Sequence, residues 1–426
     1  MNKDKDTTYF RITPTYSGIT DQISEFNALY KLGLSLGYTY IHYPFRSFRS
    51  SLEPLGILLN SANPNPLIRF MHRVLKFSLR LFKSWFYSDV YDFLGFNTHL
   101  CERTSFLQKK TLHIVDVTLT DELIRKKGIT TLAELQGFVK DQLSDKRSKK
   151  KKTIQVNFKI TIHTNFFRLI HQDIPDYQDQ LNLRTAYFEA RRRQPWASKF
   201  VDTKVKILVH IRQGDTAVIK TPWNTYIPVK NFTKNRFAEH RKFSDIQSDI
   251  FLQVSDYYDF VSMFITHFND DMFSILFFSD GFRRAFDLLH KDIERLKLTP
   301  DRLKILNHSQ KHYDQKAFEI LKGIKNGETV IGESSTNLFD LIHSALSSDI
   351  VIIGTQQQMI PKLLTNYCAN YDQLPTVIVL HRGSKPNHSR IGLNDALKKK
   401  LIYFNIHEPD YEWLNIRLTK QCSILA

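Results

Sequence analysis

Four short runs in the second half of this chain are apolar on every residue or nearly so: KILVHI at 206–211, MFSILFF at 272–278, IVII at 350–353 and TVIVL at 376–380. A strand without polar alternation must be covered on both faces. That is the condition of a parallel sheet sandwiched between helices. Amphipathic stretches separate the runs: Val254–Phe268, a segment from Gly281 through Leu289, Asn337–Leu346, and a helix starting over Gln358–Leu364. Leu303–Leu306 reads as a further short strand. The first half repeats the alternation. Tyr9–Ile12 is a strand, Thr15–Gly18 a small-residue loop, and from Gln22 the apolar residues Ile23, Phe26, Leu29, Tyr30, Leu32 and Leu36 follow helical steps. Gly37 has the place of a C-cap glycine, and Tyr38–His42, Leu112–Val117 and Gln155–Ile162 read as strands. Leu183–Arg193 reads as a helix ending in three arginines. The expected class is α/β, with parallel sheets and helices on both faces.

At 426 residues the chain is too long for one ordinary core. The expected division is a first domain over 1–200 with an insert at about 88–152, a second over 201–390, and a C-terminal segment, 391–426, with the option of packing back on the first domain. The formal charge of +17 implies an anionic partner: nucleic acid, an anionic membrane or a phosphorylated small molecule. Cys101, Cys368 and Cys422 are far apart and sit in no metal-ligand spacing, so neither a disulfide framework nor a structural zinc site is expected, and a reducing compartment is. The segment MNKDKDTTYFRI has no apolar signal region and no run has the length of a membrane span, so the expected location is cytoplasmic. A helix over Leu67–Tyr87 carries Arg69, Arg73, Lys76, Arg80 and Lys83 on one face. It reads as a core helix with a wet basic face, or as a peripheral contact with the anionic inner face of a membrane. The basic run Asp145–Lys152 reads as a solvated loop.

Open parallel sheets bind ligands beyond the carboxyl ends of their strands. Three sets of polar residues stand there: His210, Arg212 and Asp215; Ser279 and Asp280; and Gly354, Thr355, Gln356, Gln357 and Gln358. Together they have the chemistry to hold a nucleotide diphosphate without a metal. Arg212 offers a planar fork of donors for phosphate oxygens. Gly354 permits close backbone approach, and Thr355 and Gln356 open a helix whose free N–H groups face an anion. Asp280 can accept from the amine and ring N–H of guanine, and His210 can bond or stack on a base. Each also has a purely structural reading: a surface ion pair for Arg212, a helix cap for Asp280 or Thr355, a satisfied core histidine for His210. Their common position at strand ends of one half favours a site.

HIRQGD at 210–215 resembles the H-x-R-R-G-D motif of the α1,2-, α1,6- and protein O-fucosyltransferase superfamily. Three further pieces resemble it in the same order: SGITDQISEFNALYKLGLSLGYTYIHY at 17–43, FFSDG at 277–281, and NLFDLIHSALSSDIVIIGTQQQ at 337–358. The resemblance implies a GT-B fold, two Rossmann-like domains with parallel sheets facing a cleft, and GDP-fucose as donor with no cofactor or metal. It implies that Gly18 approaches the donor diphosphate and that His210 and Asp280 contact guanine. Arg212 would hold the β-phosphate, Thr355, Gln356 and Gln357 would bind phosphate oxygens, and Asp340 would support their loop. This sequence departs from the pattern at Gln213, where the family has a second arginine, and at Asp21, where it has Asn. Asp21, Asp215 and the departing diphosphate are the candidates to take the acceptor proton. The expected reaction is inverting transfer to a hydroxyl of a glycan or lipid-linked glycan. Two other readings stay open: a transferase for another nucleotide sugar, and a basic non-catalytic protein that binds nucleic acid or another anionic polymer. The last has no RRM, KH, zinc-finger or helix-turn-helix pattern behind it.

Overall fold

The computed structural model describes residues 8–13, 19–40, 93–95, 113–146, 154–160, 183–214, 216–229, 238–246, 251–268, 270–291, 293–332, 335–355, 359–368, 372, 374–383 and 395–421. The helix expected over Leu67–Tyr87 lies outside these residues. The chain forms two compact units, one of Met1–Trp196 with Lys362–Ala369, the other of Ala197–Pro361 with Asn370–Ala426.

In the first unit, β1 (Thr8–Thr13), β2 (Thr39–Tyr40), β3 (His113–Leu119) and β4 (Ile154–Ile160) form a parallel sheet in the order β2-β1-β4-β3. Helix α1 (Ile19–Ser35) buries Ile23, Phe26, Leu29, Tyr30 and Leu32. Phe10 of β1 sits 5.9 Å from Tyr30, 5.2 Å from Tyr40 and 5.8 Å from Phe158, ring to ring. Gly33 is in mid-helix because a Cβ there would run into the Phe10 ring. Gly37 caps the helix at φ +76°, with its N–H on the Leu34 carbonyl at 2.8 Å. The helices α2 (Asp121–Lys126) and α3 (Leu132–Lys146) lie inside the expected insert.

Of the three arginines ending α4 (Leu183–Arg193), Arg192 and Arg193 are exposed, whereas Arg191 is buried with its guanidinium 4.2 Å from the Phe93 ring centroid. Asn366 accepts from Asn27 at 2.8 Å, and the buried Cys368 thiol accepts from Arg184 at 3.1 Å. These contacts tie 362–369 into the first unit.

The second unit is built on six parallel strands: β5 (Val205–Ile211), β8 (Phe273–Ser279), β9 (Gly327–Ile331), β10 (Ile350–Gly354), β11 (Thr376–His381) and β12 (Leu401–Asn405). Their order is β12-β11-β10-β5-β8-β9. From β5 the chain builds outward through β8 and β9, returns, and builds the other way through β10, β11 and β12. This is the doubly wound order, and its direction reverses between β5 and β10. The apolar runs explain the burial: every residue of β8, β10 and β11 is buried. Helix α5 (Val254–Phe268) covers one face with Val254, Tyr257, Phe260, Val261, Phe264 and Ile265, each buried side chain contributing roughly 1.5–3 kcal/mol. A short antiparallel hairpin, β6 (Val218–Lys220) with β7 (Tyr226–Pro228), follows β5.

Helix α6 (Arg283–Lys291) follows β8. The strand expected at Leu303–Leu306 is part of α7 (Pro300–Gln310). Its N-cap, Thr299, accepts from the Arg302 N–H at 3.4 Å, Pro300 opens the first turn, and only Leu306 of this helix is buried. Three apolar residues in the four of LKIL do not distinguish the two periods; the Thr-Pro start signal does. After α7 come α8 (Tyr313–Phe318), α9 (Ser335–Ser347) and α10 (Met359–Tyr367). Residues 391–426 supply α11 (Asp395–Lys400), the edge strand β12 and α12 (Tyr411–Gln421), whose Leu414 and Leu418 join the core of the second unit.

Candidate functional site

Three adjacent strands of the second unit end side by side. Ile211 of β5 pairs with Ser279 of β8, so Arg212 and Asp280 are the next residue on each. Ile353 of β10 pairs with His210, which brings Thr355 level with Arg212 two residues on. Arg212 therefore leaves the sheet between Thr355 and Asp280, at the reversal between β5 and β10. That reversal is where a doubly wound sheet opens a crevice for ligands.

The loop after β5 is fixed by its neighbours. The Oδ1 of Asp280 accepts from the Gln213 N–H at 2.8 Å and from the Gly214 N–H at 3.0 Å. The other oxygen, Oδ2, lies where a Cβ on Gly214 would stand, and the Arg284 Cβ is 3.7 Å from the same point. Gln213 turns inward: it is 2% exposed, and its Nε2 donates to the Leu252 carbonyl at 2.9 Å. The position at which the family motif carries its second arginine is here a buried strut between β5 and the approach to α5.

The loop after β10 is set the same way. A Cβ on Gly354 would meet the Tyr257 hydroxyl at 2.5 Å and Leu252 Cδ1 at 2.9 Å, so glycine lets Tyr257 come against the strand end. Burial raises the Tyr257 pKa; Asp256 and Asp280 push it the same way, and a hydrogen bond from the Gly354 backbone opposes them. The phenol is thus a neutral hydroxyl at working pH. Thr355 carries a buried hydroxyl with no hydrogen-bond partner among the described residues, and so does Thr216, 4% exposed, in the loop after β5. Buried hydroxyls normally find partners, so both mark an incomplete hydrogen-bond set at this edge. One strand further out, Arg382 after β11 pairs with Asp256, which also accepts from the Gln253 N–H at 2.6 Å, and the Arg382 guanidinium lies 4.5 Å from the Phe243 ring centroid.

On the other flank, Gly281 takes φ +70° directly after Asp280, and the Asp314 Oδ1 accepts from the next N–H, that of Phe282, at 2.8 Å. Burial raises the Asp314 pKa, and the Phe282 N–H opposes it. A cavity of about 390 Å³ opens here against Phe282, Phe286, Asn307, Gln310 and Asp314. None of the residues singled out from the sequence lines it.

His210 is buried at the end of β5, and Asp340 is 7% exposed on α9, the helix leading into β10. Asp21 is in α1 of the first unit. Gly18, Asp215, Gln356 and Gln357 lie outside the described residues. Arg212, Asp280 and Thr355 are the sequence-derived residues brought into one row. Gln213, Thr216, Tyr257, Arg284 and the Asp256–Arg382 pair also shape this edge. Of these, Gln213 is inside the HIRQGD motif and Thr216 directly follows it, whereas Tyr257, Arg284 and the Asp256–Arg382 pair had no signal in the sequence. Among the described residues no group of three or more His, Cys, Asp or Glu could hold a metal ion. No described helix is long and apolar enough to cross a membrane.

No family model and no curated protein matches the chain. Among solved structures it is similar to a glycosyltransferase from Rickettsia africae ESF-5, at 12% identity over 100% of this chain and 90% of that one, with a TM-score of 0.24. At that score the similarity carries no weight for fold or function.

Proposed function

We propose that the chain is a glycosyltransferase of the GT-B type that moves fucose from GDP-fucose to a hydroxyl of a glycan or lipid-linked glycan, with inversion and without a metal. The observation that carries this reading is the row of Arg212 between Thr355 and Asp280 at the reversal of the second sheet. The ordered resemblance of four segments to the fucosyltransferase superfamily supplies the donor class. Arg212 meets the β-phosphate, and the Thr355 hydroxyl, with Gln356 and Gln357, meets the remaining phosphate oxygens. As the acceptor oxygen attacks the anomeric carbon, negative charge grows on the leaving diphosphate. Donors already fixed at that place stabilise it without reorganisation. The acceptor proton goes to Asp21, Asp215 or the departing diphosphate. We assign the reaction to the cytoplasm.

One observation favours a second reading, in which the donor is another nucleotide sugar. Gln213 is buried and bonded to the Leu252 carbonyl, so the diphosphate meets one arginine of the motif where the family offers two. A thermal-shift panel of GDP, UDP, CMP and their sugars separates the readings. A nucleotide at a hundred times its Kd adds about 2.7 kcal/mol of stability. Selective stabilisation by GDP and GDP-fucose supports the first reading, and selectivity for UDP or CMP sugars the second. If no nucleotide stabilises the protein, both fail.

A further inference from the structure

Among the described residues, helix α12 is packed on one side only. Leu414 and Leu418 are fully buried, and Tyr411 rests against Phe404, Phe260 and His267 at 5.1, 6.1 and 6.4 Å between ring centroids. The opposite side presents Trp413, Ile416, Arg417 and Lys420. At about 100° per residue these four fall within roughly 100° of arc. Trp413 is 38% and Ile416 56% exposed, and the Arg417 guanidinium lies 5.6 Å from the indole ring.

Two neighbours extend the stripe. Gln421 donates to the Lys399 carbonyl at 3.0 Å and accepts at its own carbonyl from Lys400 Nζ at 2.9 Å, which brings the end of α11 against the end of α12. The exposed Lys398 and Lys399 thereby join Arg417 and Lys420. On α5, Met263 is 54% exposed and stands one turn from both Phe260 and His267, the residues under Tyr411. The acidic side chains nearby, Asp259 on α5 with Glu408, Asp410 and Glu412, gather about the N-terminal end of α12: Asp259 acts on Tyr411, and Asp410 caps the helix through the Trp413 N–H at 2.8 Å. The surface is thus an exposed apolar pair on α12, Trp413 and Ile416, with a cationic end and with the exposed Met263 on the neighbouring helix α5, on a chain of net charge +17.

We propose that this face of α12 seats the protein on an anionic lipid surface, with Trp413, Ile416 and Met263 entering the headgroup boundary and Lys398, Lys399, Arg417 and Lys420 meeting lipid phosphates and carboxylates. Apolar residues along a helix flanked by Lys and Arg are the composition that lies in a membrane interface, where the indole of tryptophan is also favoured. A nucleic acid would engage the four cations equally well but offers nothing to exposed Ile416 and Met263. The inference is independent of the catalytic reading.

The test uses the full chain with vesicles of phosphatidylcholine alone or with about a third phosphatidylserine. Binding to the anionic vesicles alone is expected, with tryptophan emission quenched by brominated lipid, and that quenching lost in Trp413→Phe. The exposed triple variant Lys399→Gln, Arg417→Gln, Lys420→Gln should partition on the order of a hundredfold less. An equal loss of charge at Arg125, Lys126 and Lys127, exposed on the first unit, should leave most of the binding. Unchanged thermal midpoints show that the variants are folded. Equal effects of the two triple variants, quenching that survives Trp413→Phe, or retention of RNA in place of vesicles would each overturn the proposal.

Discussion

Asp280 and Gly214 are built around one another. One carboxylate oxygen takes the Gly214 N–H, and the other fills the place of the missing side chain. The φ of Gly214 lies outside the left-handed region, so glycine is required here by the carboxylate and not by the backbone. The aspartate at the end of β8 thereby sets the path of the chain directly after Arg212.

The two residues should therefore be coupled. Gly214→Ala must displace Asp280 and costs about 1–3 kcal/mol, the usual range for overpacking. Asp280→Ala leaves two N–H groups without their acceptor and costs about as much. Once the carboxylate is gone the alanine has room. Urea unfolding of both single variants and the double should give a coupling energy of at least about 0.5 kcal/mol. Strict additivity would mean that the two do not meet.

Arg212 is the test of chemistry separate from fold. It is partly exposed at the strand end, so Arg212→Ala should leave the unfolding midpoint near that of the parent. Transfer should fall on the order of a hundredfold or more, the loss typical of one preorganised charge-stabilising donor. Stabilisation by GDP should weaken in parallel. Parent-like turnover would remove Arg212 from the site.

Gln213 gives a prediction against the family pattern. Installing the arginine of the motif that HIRQGD resembles, by Gln213→Arg, would place a cation at a position 2% exposed and abandon the bond to the Leu252 carbonyl. Burying a charge without a partner is costly, on the order of 3–5 kcal/mol. The variant should be less stable and no more active. A stable, faster enzyme would show that the loop opens to let residue 213 reach the donor.

The contrast between residues 212 and 213 marks how far the sequence could be read. The strands β5 and β10 were legible as short runs rich in β-branched residues with turn signals after them, and helix α5 because its apolar residues follow the helical period; the alternation of such strands and helices points to a parallel sheet. The edge strand β9, GETVI, was not legible: it has no buried residue and no alternation. Strand ends are predictable positions, so Arg212, Asp280 and Thr355 could be placed at neighbouring ones from the sequence. Which way Gln213 faces depends on a carbonyl 39 residues away, and why residue 354 is glycine depends on a phenol in α5. Such contacts have no local signature.

The carboxyl of Asp314 sets a dependence on pH. Burial raises its pKa above the ordinary 3.8 of an aspartate, although its Oδ1 accepts the Phe282 N–H at 2.8 Å. Between the unfolded value and the raised folded value the native state binds more protons than the unfolded one. Stability therefore falls as pH rises through that window, and the penalty is constant above it. Asp314→Asn keeps an oxygen for the Phe282 N–H and removes the charge, so the gain in stability of the variant over the parent should grow from about pH 4 upward and then level off. Paired urea titrations across that range measure it. A difference that is flat or shrinks with rising pH would show that the Asp314 carboxylate is as well solvated in the fold as out of it.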